Sequence, residues 1–371
     1  MSAKSKPVPY VLYLAVLPKY RTECMRILSD RLGDALRLFV SPAHLDSSVR
    51  TGIPESMYTT VPIKRILGNR AFVQTGHWRT ALAAGTTILD LNPRSVTAWS
   101  VLLSRRLLRR RTLVWGHIHP QAGPSSSTAF LRRGMRKLAD GTISYTYRDA
   151  EKAVNDIPGS TVWVAPNSLY RAEDIKPAEG CEKNSVIYVG RFAPTKKVRL
   201  LIEAFAIAVR SEPEIRLTLI GGGEELSLLK GMVARLGISE QVAFPGWIDD
   251  LSSLREYYST AFCSASPGFA GLGLTQSLGF GVPMLVAEDE PHSPEIELEA
   301  SGGVAFFQSD TPDSLAQAIL SAWEKRAQAP QAHLSEYVES RYSAEAMANG
   351  LQDALQDGPT NNVKGSNGQR K

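Results

Sequence analysis

The sequence predicts an α/β protein made of two parallel-sheet domains, on three observations. The chain has 371 residues, comfortable for two domains and long for one. Two blocks alternate short apolar runs with longer amphipathic ones, the pattern of parallel strands flanked by helices. Between the blocks lies a polar, charged stretch, residues 168–184, carrying Pro177 and Gly180, which reads as an interdomain linker.

In the first block, residues 10–17, 36–40, 87–91, 113–115, 141–145 and 162–165 read as strands, and residues 96–110 as a helix. In the second, residues 185–189 form a strand and 199–210 a helix, with Leu200, Leu201, Ala204, Phe205 and Ala208 at helical spacing. Strands at 216–220 and 242–244 and helices at 224–236 and 251–258 follow, and 261–265, 275–280 and 284–287 continue the alternation. Residues 312–326 and 343–355 read as helices, and Asp249-Asp250 as the cap of the helix at 251. The expected organisation is therefore an N-terminal domain over 1–167, the linker over 168–184, a C-terminal domain over 185–334, a C-terminal helix over 335–356 and a disordered tail over 357–371.

Composition narrows the function classes. Hydrophobic residues make up 43% and charged residues 21%, an ordinary globular balance. The net charge of +5 and pI near 9.0 suit anionic partners such as phosphates, nucleotides or an acidic membrane surface. No zinc-knuckle or basic-aromatic pattern supports nucleic-acid binding. Cys24, Cys181 and Cys263 are scattered and lack metal-ligand spacing, which fits a reducing compartment. Residues 1–9 are short and polar, without the form of a signal peptide, and no run of ~18 uncharged apolar residues follows. The expected location is the cytoplasm, with contact to the inner membrane face as an extension of it.

Three segments carry chemistry. The first is Val186-Ile-Tyr-Val-Gly190-Arg191-Phe-Ala-Pro-Thr-Lys196-Lys197: an apolar strand ends in glycine, then presents an arginine and, five positions later, a lysine. In open α/β sheets ligands bind at the carboxyl edge. A planar guanidinium and a point-charge ammonium there suit a diphosphate; the bland alternative is a solvated loop. The second, Ile220-Gly221-Gly222-Gly223-Glu224, follows a strand and opens a helix, so its backbone could approach a ligand closely. It lacks the GxGxxG spacing, and a plain tight connection would look the same. The third runs Ser266-Pro-Gly268-Phe-Ala-Gly271-Leu272-Gly273-Leu-Thr275-Gln276 and on to Gly281-Val-Pro283. Its glycine-rich loop offers amides to a phosphate, and Gln276, a turn or two into the helix, could reach a sugar hydroxyl or be a plain buried amide.

Together these segments resemble family 4 of the retaining glycosyltransferases, of GT-B fold: two Rossmann-like domains facing a central cleft. The resemblance covers residues 185–323 and includes Phe244-Pro-Gly246-Trp-Ile248 and His292-Ser-Pro294-Glu295-Ile-Glu297. It implies that Arg191 and Lys196 bind the diphosphate, that Gly190, Gly222, Gly223 and Ile248 line the donor site, and that Gly271 and Leu272 give backbone donors to the distal phosphate. Gln276 stands where the family has the second glutamate of an E-x7-E motif, which holds the ribose. Gly268 replaces the first glutamate, and Lys197 replaces a glycine expected after Lys196.

The N-terminal half resembles the family more thinly. Leu17-Pro-Lys-Tyr20-Arg21 looks like the turn after the first strand, Ala165-Pro166-Asn167 like the segment that closes the domain, and Val114-Trp115-Gly116-His117 like a branch in which a histidine contacts the donor sugar. That role falls to His117, with His119 as competitor. No Asp-x-Asp pair stands at a strand end, so no metal and no cofactor are expected beyond a nucleotide-sugar substrate such as a UDP- or GDP-sugar.

The implied reaction is metal-independent transfer of a sugar, with retention, to a glycan or lipid-linked acceptor, in polysaccharide or glycoconjugate synthesis. Two basic clusters, Arg105, Arg106, Arg109, Arg110 and Arg111, and Arg132, Arg133, Arg136 and Lys137, read either as solvated faces or as a dock for anionic lipid. A non-catalytic nucleotide-sugar-binding protein of the same fold, or an epimerase acting on the same donors, are the rival readings.

Overall fold

A computed structural model of the chain describes residues 8–45, 50–118, 127–180 and 182–360. His119, Cys181 and residues 361–371 of the expected tail lie outside the described residues. The chain forms two compact units, Met1–Tyr170 with Ala344–Lys371, and Arg171–Ser343.

The first unit contains β1 (Tyr10–Leu14), α1 (Thr22–Leu32), β2 (Leu36–Val40), β3 (Thr59–Thr60), β4 (Ile63–Ile66), β5 (Ala71–Gln74), α2 (Trp78–Ala83), β6 (Thr86–Asp90) and α3 (Val96–Leu107). It continues with β7 (Thr112–Trp115), α4 (Ser127–Leu138), β8 (Gly141–Ser144), α5 (Tyr147–Asp156) and β9 (Val162–Val164). Among the described residues its main sheet has the order β3-β2-β1-β6-β7-β8-β9, and the pairs are parallel. Successive side chains of a strand point to opposite faces. Leu12 and Leu14 of β1 therefore enter a core with Cys24, Met25 and Leu28 of α1, while Val11 and Tyr13 enter one with Val101 and Leu102 of α3. Strands covered on both faces are near-continuous apolar runs, which is why they stood out in the sequence. The short antiparallel hairpin β4–β5 was not expected; Leu67, Gly68 and Asn69 turn it with positive φ angles.

The second unit contains β10 (Ser185–Arg191), α6 (Val198–Ser211), β11 (Arg216–Gly222), α7 (Leu226–Arg235), β12 (Val242–Gly246), α8 (Leu251–Ser259) and β13 (Ala261–Ser266). It continues with α9 (Gly273–Gly279), β14 (Met284–Ala287), β15 (Val304–Phe307), α10 (Pro312–Glu324) and α11 (Ala332–Tyr342). Its parallel sheet has the order β12-β11-β10-β13-β14-β15. Val186 and Tyr188 of β10 pack with Leu201 and Phe205 of α6, Leu229 of α7 and Ile319 of α10. Asp250 caps α8, accepting the Ser253 amide at 2.8 Å.

Three boundaries differ from the sequence reading. Residues 168–184 are not a free connection: Ile175 and Ala178 are buried, Ala178 N–H bonds the Phe280 carbonyl at 2.8 Å, and Arg255 donates to the carbonyls of Asp174 and Lys176. The polar composition hides this because the bonds are made by backbone. The helix expected over 335–356 is two helices: α11 ends in the second unit, Ser343 is extended, and α12 (Ala344–Gln356) packs with α1 in the first. The start of the expected tail is ordered, because Arg111 binds Asp357 at 3.0 Å and the Trp163 indole bonds the Gly358 carbonyl at 3.2 Å. Among the described residues no helix is long and apolar enough to cross a membrane.

Candidate functional site

In the second unit, β10 and β11 end side by side, with Gly190 opposite Gly221 and Arg191 opposite Gly222. A side chain at Gly221 is excluded twice: its φ is +135°, and a Cβ would stand 1.9 Å from the Gly190 carbonyl oxygen. Phe192 N–H continues the pairing to the Gly222 carbonyl at 2.8 Å, and the Gly223 carbonyl accepts the Leu226 amide as α7 opens. A Cβ at Gly222 would meet open space. Ile248 is half-buried beyond β12, next to the exposed Trp247, whose ring comes within 3.3 Å of where a Gly221 Cβ would be. In the sequence Trp247 stands only as an aromatic just past a strand end, and the structure shows it exposed there.

The turn after β10 brings Lys196 against the glycine-rich loop. Its ammonium donates to the Phe269 carbonyl at 2.7 Å and lies 4.7 Å from the Phe269 ring centroid, while Phe269 N–H bonds the Thr195 carbonyl. Burial lowers the Lys196 pKa, and the charge of Arg191 lowers it further. The two cations therefore sense one another. Arg191 is exposed, and its guanidinium makes no hydrogen bond or ion pair among the described residues. Two like charges with no carboxylate partner among the described residues, at the carboxyl edge of a parallel sheet, are the arrangement an anion could satisfy.

Gly271 and Leu272 lead into α9, and their amides have no hydrogen-bond partner among the described residues, while their carbonyls accept from Leu274 and Gln276. Gln276 is buried one turn into α9, with the Tyr258 hydroxyl 3.5 Å from its Oε1. His292 ties the loop down: Nδ1 accepts the Ala270 amide at 3.1 Å and Nε2 donates to the Ala287 carbonyl at 2.7 Å, which fixes one neutral tautomer. Gly268 has a steric reason. A Cβ there would lie 2.4 Å from the Thr195 carbonyl oxygen and 2.9 Å from the Lys196 carbonyl carbon, so the turn bearing Lys196 occupies the space a glutamate would need.

His117 lies in the first unit, exposed just beyond β7. Its ring meets Tyr145 edge-on at 4.8 Å, and its carbonyl accepts from Arg132 at 2.9 Å. Around it the ends of several strands converge on Arg21, a group that sequence reasoning missed because no spacing links its members. Ala15 N–H donates to Asp90 at the end of β6. Burial pushes the Asp90 carboxyl up to about 7, opposed by that amide and by the Arg21 charge.

The two basic clusters are largely consumed by structure. Arg105 is buried and donates to Thr112 Oγ1 and to the carbonyls of Ala81, Ala84, Gly85 and Arg111. Arg133 and Arg136 both bind Asp156. Arg106, Arg109, Arg110 and Lys137 are the members that remain exposed. Among the described residues no three His, Cys, Asp or Glu side chains gather as metal ligands.

The candidate site lies at the carboxyl edge of a parallel sheet, where open α/β folds bind ligands. Residues 171–341, most of the second unit, match the model of glycosyl transferases group 1. Mannosylfructose-phosphate synthase of Agrobacterium fabrum is 32% identical over 122 residues, 30% of this chain and 27% of that protein. Alpha-monoglucosyldiacylglycerol synthase of Streptococcus pneumoniae is 29% identical over 143 residues, 38% of this chain and 31% of that protein. The chain thus spans less than a third of either relative's length. The Anabaena protein Alr3699/HepE, solved in complex with UDP, superposes with a TM-score of 0.66 at 14% identity, covering 94% of this chain and 100% of its own. The fold is GT-B, with two Rossmann-like domains.

Proposed function

We propose that the chain is a retaining, metal-independent glycosyltransferase. In this reading it moves a sugar from a nucleotide-sugar, such as a UDP- or GDP-sugar, to a glycan or lipid-linked acceptor. The observation that carries the reading is that Lys196, whose pKa the Arg191 charge lowers, is bonded to the Phe269 carbonyl of the loop whose Gly271 and Leu272 amides have no partner among the described residues. A nucleotide-sugar already holds its leaving group, so the task is to stabilise charge on the departing diphosphate and to orient the acceptor. The bond from the anomeric carbon to the phosphate oxygen breaks, the acceptor oxygen bonds the same face, and its proton passes to the leaving phosphate. Arg191, Lys196 and the two amides take the charge, Gln276 holds the ribose, and His117 contacts the sugar. UDP in the solved Alr3699/HepE and a diacylglycerol product in a relative's name support the donor and acceptor classes.

Arg191→Ala and Lys196→Ala should each lower kcat/KM by about 2–4 kcal/mol of transition-state stabilisation, with turnover unaffected by EDTA. Unchanged turnover in both variants rejects the site. The steric block at Gly268 favours a second reading, a non-catalytic nucleotide-sugar-binding protein. A panel of donors separates the two: binding without transfer or hydrolysis supports the second.

The location proposed with this function is cytoplasmic and peripheral to the membrane. At the end of α3, Leu103, Leu107 and Leu108 are 46%, 85% and 58% exposed beside Arg106, Arg109 and Arg110. Apolar and cationic groups on one surface suit an anionic leaflet. Co-sedimentation with phosphatidylglycerol vesicles, lost in Leu107→Glu, would support it.

A further inference from the structure

We infer that Arg21 and Tyr145 are positioning residues that act through His117, with Arg21 as the knot that holds Tyr145 and Tyr145 as the surface on which the His117 ring rests. The inference rests on the reading above, in which His117 contacts the transferred sugar.

Arg21 follows β1, in the turn that opens α1, and is 5% exposed. Its guanidinium carbon lies 4.6 Å from the Trp115 ring centroid and 4.8 Å from that of Tyr145, and Nη2 donates to Asn167 Oδ1 at 3.0 Å. One side chain thus joins the turn after β1 to the ends of β7, β8 and β9. A planar cation between aromatic faces does this in a way that lysine does not reproduce. Its Nε is buried with no hydrogen-bond partner among the described residues, so the group is held by its rings, by Asn167 and by a side-chain hydrogen bond with Tyr145 rather than by a full set of donors. An unmet buried donor is a cost, and folds keep such costs where a geometry is needed.

Tyr145 carries the link onward. Trp115 tilts against it at 5.6 Å, and the His117 ring meets it at 4.8 Å with an interplanar angle of 69°. Gly116 separates Trp115 from His117, so the imidazole leaves the sheet at the strand end where β7 stops. His117 is exposed, and an exposed ring samples several rotamers unless a neighbour restricts it. Tyr145 supplies that restriction from one side, while Arg132, bonded to the His117 and Leu91 carbonyls, fixes the backbone.

The test is a double-mutant cycle with an activity-free second arm. Arg21→Lys and Tyr145→Leu should each lower kcat at least about tenfold with donor KM changed less than about twofold, and Tyr145→Phe should restore most of the loss. Combined with His117→Ala, neither should add a further loss, because residues acting through one group are not additive. Losses that multiply with His117→Ala, or a fall in thermal stability with kcat unchanged, overturn the inference. The second arm follows the imidazole resonance that disappears in His117→Ala. Arg21→Lys, which does not alter the contacting ring, should move this resonance as Tyr145→Leu does; a resonance unmoved by Arg21→Lys overturns the linkage. A wild-type chain that turns over no donor defeats the glycosyltransferase reading, and the resonance arm then decides the linkage by itself.

Discussion

Lys197 illustrates how one residue can oppose its own backbone. It sits at φ 50°, ψ 36°, the left-handed region where a non-glycine costs roughly 1–2 kcal/mol. The glycine that the resemblance leads one to expect at this position has that physical basis. Here the side chain offsets the cost: Nζ lies 2.5 Å from Glu290 and 2.6 Å from Asp310, and these hydrogen bonds raise the Lys197 pKa. The Asp310 side chain is 69% exposed, so its share is small, and the two pairs together are worth about 1–2 kcal/mol. Lys197→Gly removes strain and pairs at once and should stay within about 1 kcal/mol of the parent in urea unfolding. Lys197→Met keeps the strain, loses the pairs and should cost about 1–2 kcal/mol. A glycine variant less stable than the methionine variant would contradict this account. At this scale the sequence showed where a charge stands beside a strand end, since Arg191 closes β10 and Lys196 lies in the turn after it. It was silent on which cations are spent: Arg105 and Arg106 are neighbours in the chain, yet one is buried among carbonyls and the other exposed.

Among the elements, α12 is the one whose place in the fold depends on a single close approach. Met347, Leu351 and Leu355 lie in the core with Met25 and Leu28 of α1, and the helix lies so close to β9 that a Cβ at Gly350 would come 1.9 Å from the Val164 carbonyl oxygen. Gly350→Ala should therefore lever α12 away from the sheet and cost about 2–3 kcal/mol, read as a lower first-unit transition with the second-unit transition in place. An unshifted first transition would show that α12 can slide without loss. Helices of this apolar kind were legible, as were the parallel strands, because burial on two faces leaves uninterrupted apolar runs. Helices α1, α2, α4 and α5 were not, α5 because it buries little beyond Ala150 and Ala153 and shows few apolar residues to a periodicity search, α1 although its Cys24, Met25, Ile27 and Leu28 are buried. The hairpin β4–β5 alternates only weakly, with its burial falling on Phe72 and Gln74. The Arg21 knot was invisible for a different reason: its members come from four separate strand ends, and no local pattern records such a meeting.

For the whole molecule, two units with separate cores imply that unfolding is not a single two-state event. Two thermal transitions are expected, and on the proposed reading a donor nucleotide at 100 times its Kd should raise the second-unit one by about 2.7 kcal/mol. Acidity should separate them further. Asp90 belongs to the first unit, and its carboxyl is pushed by burial from an ordinary 3.8 to about 7. Between those values the folded state holds a proton that the unfolded chain has released. The contribution is complete below about pH 3.8, falls as pH rises and is lost above about 7. Asp353, also raised by burial, acts in the same sense, and Asp156, lowered beside Arg133 and Arg136, acts only at more acid pH. The first transition should thus lose on the order of 2 kcal/mol between pH 5 and pH 8. Asp90→Asn keeps an acceptor for the Ala15 amide but cannot ionise, so it should flatten most of that slope and stabilise the first unit at pH 8. Calorimetry across this range decides the matter: an equal slope in parent and variant would mean that Asp90 is ionised in the folded protein, with Arg21 holding its charge.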